Sequence, residues 1–69
     1  MHIKLIHNGT NISFHENMTS VNNYIDSVLH NYAHLRPRKV VDTKHNSNIQ
    51  VIVYEYYTFY CEMFMIVTE

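Results

Sequence analysis

Ile49-Gln50-Val51-Ile52-Val53-Tyr54-Glu55-Tyr56-Tyr57-Thr58-Phe59-Tyr60-Cys61-Glu62-Met63-Phe64-Met65-Ile66-Val67 is a run of nineteen residues without a Gly, Pro, Asn or Asp. Its middle, Tyr54 to Tyr60, carries five Tyr or Phe. So many β-branched and aromatic side chains favour extended backbone. A single strand of that length would span about 60 Å at ~3.3 Å per residue, whereas a compact chain of this size is only about 28 Å across. The run must therefore bend, reverse or leave the monomer. A reversal or bulge near Tyr57-Thr58 yields a fifth strand from about Phe59 to Thr68, although no turn-forming residue marks the place. A strand exchanged or extended across a dimer is the alternative. The run also has the length of a membrane span, but Gln50, Glu55 and Glu62 interrupt it and each carboxylate is costly in hydrocarbon. No membrane partner is expected.

Upstream of this run, Val40-Val41-Asp42-Thr43-Lys44 and the polar turn His45-Asn46-Ser47-Asn48 read as the first half of a hairpin, with Lys44 near Ile49 and Val41 near Ile52. Further back, Val21, Tyr24, Ile25, Val28, Leu29, Tyr32 and Leu35 fall on one stripe of a 3.6-residue period. That spacing predicts a helix, capped by Thr19 or Ser20 and stopped near Leu35 or Arg36 by Pro37. At the amino terminus Asn8-Gly9 is a strong two-residue hairpin signal, since both residues tolerate positive φ. Such a turn pairs His7 with Thr10, Leu5 with Ile12 and Ile3 with Phe14, and places Ile3, Leu5, Ile12 and Phe14 on one face. The expected fold is a single α+β domain over residues 1–69: an antiparallel sheet of four to five strands, in the order ββαββ with or without the fifth, and one helix packed on one face.

Composition narrows the function classes. A chain this short buries only about 60% of its unfolded surface, so its core is marginal and association would help it. The net charge of −1 gives neither a global attraction to phosphate nor an acidic mimic of nucleic acid. One cysteine, Cys61, excludes an internal disulfide framework; with no apolar leader at the amino terminus, a cytoplasmic location is expected, host cytoplasm if the source is viral. Three Asn-x-Ser/Thr triplets, starting at Asn8, Asn11 and Asn17, read as coincidence in an Asn-rich chain. Phe, Tyr, Met, Ile, Asn and Lys fill 31 of 69 positions and Gly, Ala, Arg and Pro only 5, which implies an A/T-rich genome and suits a phage gene product.

Catalytic readings find little footing. Cys61 sits in an apolar strand, where a thiol is inert, and Glu55 and Glu62 read as solubilising charges on that strand. Six histidines invite a metal, with Asp26, His30 and His34 at helical spacing and His2 opposite His15, but no acidic or thiolate ligand completes a set, so neither metal nor cofactor is expected. The chain therefore reads as a non-enzyme.

What remains is surface. Both parities of the C-terminal strands are apolar or aromatic, and one helix covers only one sheet face. Tyr54, Tyr56, Tyr57, Tyr60 and Phe64, with the basic cluster Arg36, Arg38 and Lys39, form the expected interface, tyrosine and arginine being the residues that anchor protein contacts. The expectation is a non-catalytic protein-interaction domain, homodimeric, acting as a phage-encoded inhibitor or modulator of a host protein by steric occlusion. The alternative is a small single-stranded nucleic-acid-binding module that stacks bases on Tyr54, Tyr56 and Tyr60 beside Arg36, Arg38 and Lys39.

Overall fold

The computed structural model describes residues 2–56 and 60–69. Along the chain come β1 (Ile3–His7), β2 (Asn11–His15), α1 (Met18–Asn31), a 3-10 turn (Ala33–Leu35), β3 (Arg38–Lys44), β4 (Ile49–Tyr56) and β5 (Tyr60–Thr68). The strands form one antiparallel sheet in the order β2-β1-β5-β4-β3. The expected α+β architecture is present, with five strands and one helix on the sheet.

The long run is two strands. Tyr56 opposes Tyr60 across an antiparallel ladder, so the chain reverses between them, and β5 slots between β1 and β4 instead of leaving the monomer. Tyr57, Thr58 and Phe59, on which the expected reversal and the start of the fifth strand fall, lie outside the described residues. The strand-exchange alternative is not adopted within this chain, because β5 pairs along its length with its own β1 and β4.

The first hairpin departs from expectation by one residue. Asn8 and Gly9 do take positive φ, 53° and 77°. Thr10, however, stays out of the ladder: its N–H reaches the His7 carbonyl at 3.3 Å, and pairing resumes with Asn11 opposite His7. Competition from β5 accounts for the slip. The Asn8 N–H donates to the Met63 carbonyl at 2.9 Å, and its Oδ1 accepts the Met63 N–H at 2.9 Å, so Asn8 belongs to the β1/β5 seam as much as to the turn. A one-residue slip turns a whole strand over. Ser13 and His15 now face the helix, while Ile12 and Phe14 share the far face with Lys4 and Ile6.

The second hairpin slips likewise. Asn46 Oδ1 accepts from the Asn48 and Ile49 N–H groups at 2.7 and 3.0 Å, closing a short Asx turn inside a His45 N–H to Ile49 carbonyl bond of 2.9 Å. Lys44 consequently opposes Gln50, and Val41 opposes Val53, each one residue beyond expectation. A bulge between Lys39 and Val41 interrupts β3, an edge strand.

The helix starts earlier and ends earlier than its stripe suggests. Asn17, in extended conformation, is the N-cap: its side chain accepts the Ser20 N–H at 2.9 Å. Ser20 is thereby free to bond His15 Nδ1 through its hydroxyl at 2.7 Å, which ties the helix start to β2. Regular helix stops at Asn31; the turn that follows is 3-10, and Arg36 adopts a left-handed conformation with φ 53° just before Pro37. The apolar stripe itself holds. Val21 and Ile25 are buried with Ile3, Leu5, Ile52, Phe64 and Ile66, and Tyr24, Val28, Leu29 and Tyr54 pack against that core. The core therefore lies between α1 and one face of β1, β5 and β4.

Candidate interaction surface

Alternation along each strand sorts the side chains into two faces. Ile3, Leu5, Ile52, Phe64 and Ile66 face α1, so their neighbours in sequence face away from it. Cross-strand register then arranges that far face in rows. Ile12, Ile6, Met65, Val51 and Thr43 form one row, Phe14, Lys4, Val67 and Ile49 the next, and Met63, Val53 and Val41 a third. Cys61, Glu55 and Arg38 close the end of the face. No element among the described residues covers it. Phe14 is 70% exposed and Ile12 56%, whereas the valines and methionines of the middle strands shade one another and are half-buried.

The interface residues expected from sequence do not gather on this face. Tyr54, Tyr56, Tyr60 and Phe64 share the helix side, as their common parity requires. Phe64 and Tyr56 are fully buried there, and Tyr54 is half-buried against the core; of the four, only Tyr60 is exposed. Tyr56 stacks on Tyr60 with centroids 5.5 Å apart and lies 5.7 Å from Tyr32. Burial and the nearby Glu62 charge push the Tyr56 phenol up to about 12. Tyr57 lies outside the described residues. The basic cluster also divides. Arg38 lies on the helix-free face, bonded to Glu55 at 3.2 Å; Lys39 is opposite Tyr54 on the helix side and reaches Asp42 at 3.4 Å; Arg36 is exposed beyond the 3-10 turn. Asp42 also accepts from the Gln50 amide at 2.7 Å, which, with Lys39 and Lys44 nearby, holds its carboxyl below the usual range.

A polar cluster that sequence reasoning missed lies under the helix. His7 Nε2 is hydrogen-bonded to Glu62 Oε2, with His7 9% and Glu62 3% exposed. Asn8 Nδ2 donates to the same carboxylate oxygen at 2.7 Å, and the Tyr60 hydroxyl donates to the other at 3.2 Å, the Glu62 charge raising the Tyr60 phenol. On its other side His7 meets the Tyr24 hydroxyl at 3.4 Å and stacks on Phe64 with centroids 4.8 Å apart. This arrangement satisfies a buried carboxylate from three directions, as burial requires. Glu62 is thus an interior anchor and not a solubilising charge; Glu55, on the opposite face, fits that role. The signal was available: β-strand parity puts Glu62 with Phe64 and Ile66.

Other candidates scatter. His15 bonds Ser13 and Ser20, not His2; His30 is on α1 while His34 sits in the 3-10 turn; and among the described residues no three His, Cys, Asp or Glu side chains gather as metal ligands would. Cys61 is exposed on the helix-free face, so its thiol is not packed away as its apolar neighbours suggest. No helix among the described residues is long and apolar enough to cross a membrane. No protein-family model, curated protein or solved structure matches this chain.

Proposed function

We propose that this chain is a non-catalytic protein-interaction domain that docks through the helix-free face of its sheet. One observation carries the reading: Ile12 and Phe14, at 56% and 70% exposure, extend an apolar surface that continues across β1, β5 and β4 through Ile6, Met65 and Val51. Monomeric proteins rarely expose so continuous an apolar area unless something binds it. Docking there acts by occlusion, the sheet lying flat on the partner and shutting out other ligands. The A/T-rich composition supports a phage-encoded modulator of a host protein, working in the host cytoplasm.

The nucleic-acid reading has less support. Tyr54 and Tyr56 are taken up by the core, which leaves Tyr60 as the exposed tyrosine of the three, and Arg38 lies on the opposite face of the sheet from it. Capture from a bacterial lysate tests the proposal. Ile12→Ser/Phe14→Ser is expected to lose the partner that wild type retains, while Lys39→Ala on the helix side keeps it. Retention of every partner by the double variant would refute this surface.

A further inference from the structure

The helix-free face has an arrangement of charge that a second copy of this chain fits. Apolar side chains fill its middle, and the formal charges of its strand residues stand at its margins: Lys4 at one end, with Glu55 and Arg38 at the other. Glu55 is bonded to Arg38, whereas Lys4 makes no ion pair among the described residues. Lys4 lies one strand to one side of β5, level with Val67; Glu55 lies one strand to the other side, level with Cys61. The midpoint between them falls on β5 between Met63 and Met65. The two charges are therefore placed symmetrically about the centre of the apolar face.

From this we infer that the helix-free face is occupied by a second copy of the same chain, stacked sheet on sheet about a two-fold axis that crosses β5 between Met63 and Met65. The inference rests on the reading of this face as a docking surface and names its occupant. A two-fold axis lying in the interface, perpendicular to the Lys4–Glu55 diagonal, sets each Lys4 over the partner's Glu55, so one operation forms two ion pairs. Self-complementarity of this kind is what an isologous interface demands. Ile6, Met63, Met65 and Val51, around the axis, then lie against apolar side chains of the partner, and sheets stacked about 10 Å apart bury this middle of both faces.

Area sets the strength. With strands about 4.8 Å apart and same-face residues about 6.8 Å apart, the face covers roughly 500 Å² in projection, so two copies bury about 1,000 Å². That is the lower end of what a specific interface needs, and it fits a dimer of micromolar affinity that yields to a tighter partner for the same face.

Charge inversion in the full chain tests the geometry, with sedimentation or light scattering across a dilution series as the readout. Lys4→Glu and Glu55→Lys each place like charges together twice, and each is expected to raise the dimer dissociation constant about tenfold. The double variant Lys4→Glu/Glu55→Lys binds itself more tightly than either single variant, although the introduced lysine beside Arg38 keeps it below wild type. An equimolar mixture of the two single variants forms heterodimers in preference to either homodimer, because both cross pairs are then of opposite sign; a change that merely weakened the fold would not produce this. Met65→Lys, at the centre of the face, abolishes dimerisation, and unchanged circular dichroism verifies its fold. A wild-type chain that stays monomeric at several hundred micromolar overturns the second copy and leaves the docking surface to the Ile12/Phe14 capture experiment. A dimer indifferent to the rim inversions and to Met65→Lys overturns the face geometry as well.

Discussion

Tyr56 is fully buried, and its hydroxyl meets no hydrogen-bond partner among the described residues. An orphaned buried hydroxyl costs about 1–3 kcal/mol, so Tyr56→Phe is expected to raise unfolding free energy in urea by roughly 1 kcal/mol. The same burial shapes the alkaline limb of stability. The phenol is pushed from 10.0 to about 12 in the folded chain, so above pH 10 the unfolded state ionises first and binds fewer protons. Folding stability is accordingly untouched by this group below pH 10, falls between there and about pH 12, and the fall is reduced in Tyr56→Phe. Sequence made the tyrosines visible as a group but not their facing. Their shared parity was plain; which side of the sheet received α1 was not, and that side alone separates a buried Tyr56 from an exposed docking residue.

At the scale of elements, caps and turns explain the displaced helix start and the two shifted hairpin registers. Asn17, Thr19 and Ser20 are all good cap residues, and the choice falls on Asn17 because Ser20 has a second use as the bond to His15. Asn17→Ala is expected to cost about 1 kcal/mol, and Thr19→Ala less than about 0.5 kcal/mol, in paired thermal melts. The helix stripe and the existence of each strand follow from periodicity, which is a local property of the chain. Registers do not. Each hairpin is shifted one residue by a side chain that bonds backbone, Asn8 to Met63 in the first and Asn46 to Asn48 and Ile49 in the second. The Asn8 bond reaches across 55 positions of sequence, so no local pattern announces it.

Over the whole molecule, two apolar surfaces compete for the same description, and only one is core. Leu5 is fully buried beneath α1, while Phe14, two strands' width from the centre of the sheet, is 70% exposed. In dilute monomer, Leu5→Ala is expected to cost about 2–5 kcal/mol by leaving a cavity, and Phe14→Ser to change stability within about 0.5 kcal/mol. Chemical denaturation of both variants at low concentration checks the contrast. The fold class was readable from the order of periodic segments, and the surplus of apolar surface was readable from composition. The identity of the bare face was hidden, because turning β2 over by one residue exchanges Ile12 and Phe14 for Ser13 and His15.

The last of the five described strands stands in the middle. β5 is the seam between a hairpin of β1 and β2 and a hairpin of β3 and β4, which otherwise share no ladder in the sheet. During synthesis the two hairpins wait side by side without a common sheet, each too small to persist alone. The full sheet closes only when residues 60–68 thread between both halves, a late pairing of distant segments that sets the pace of folding.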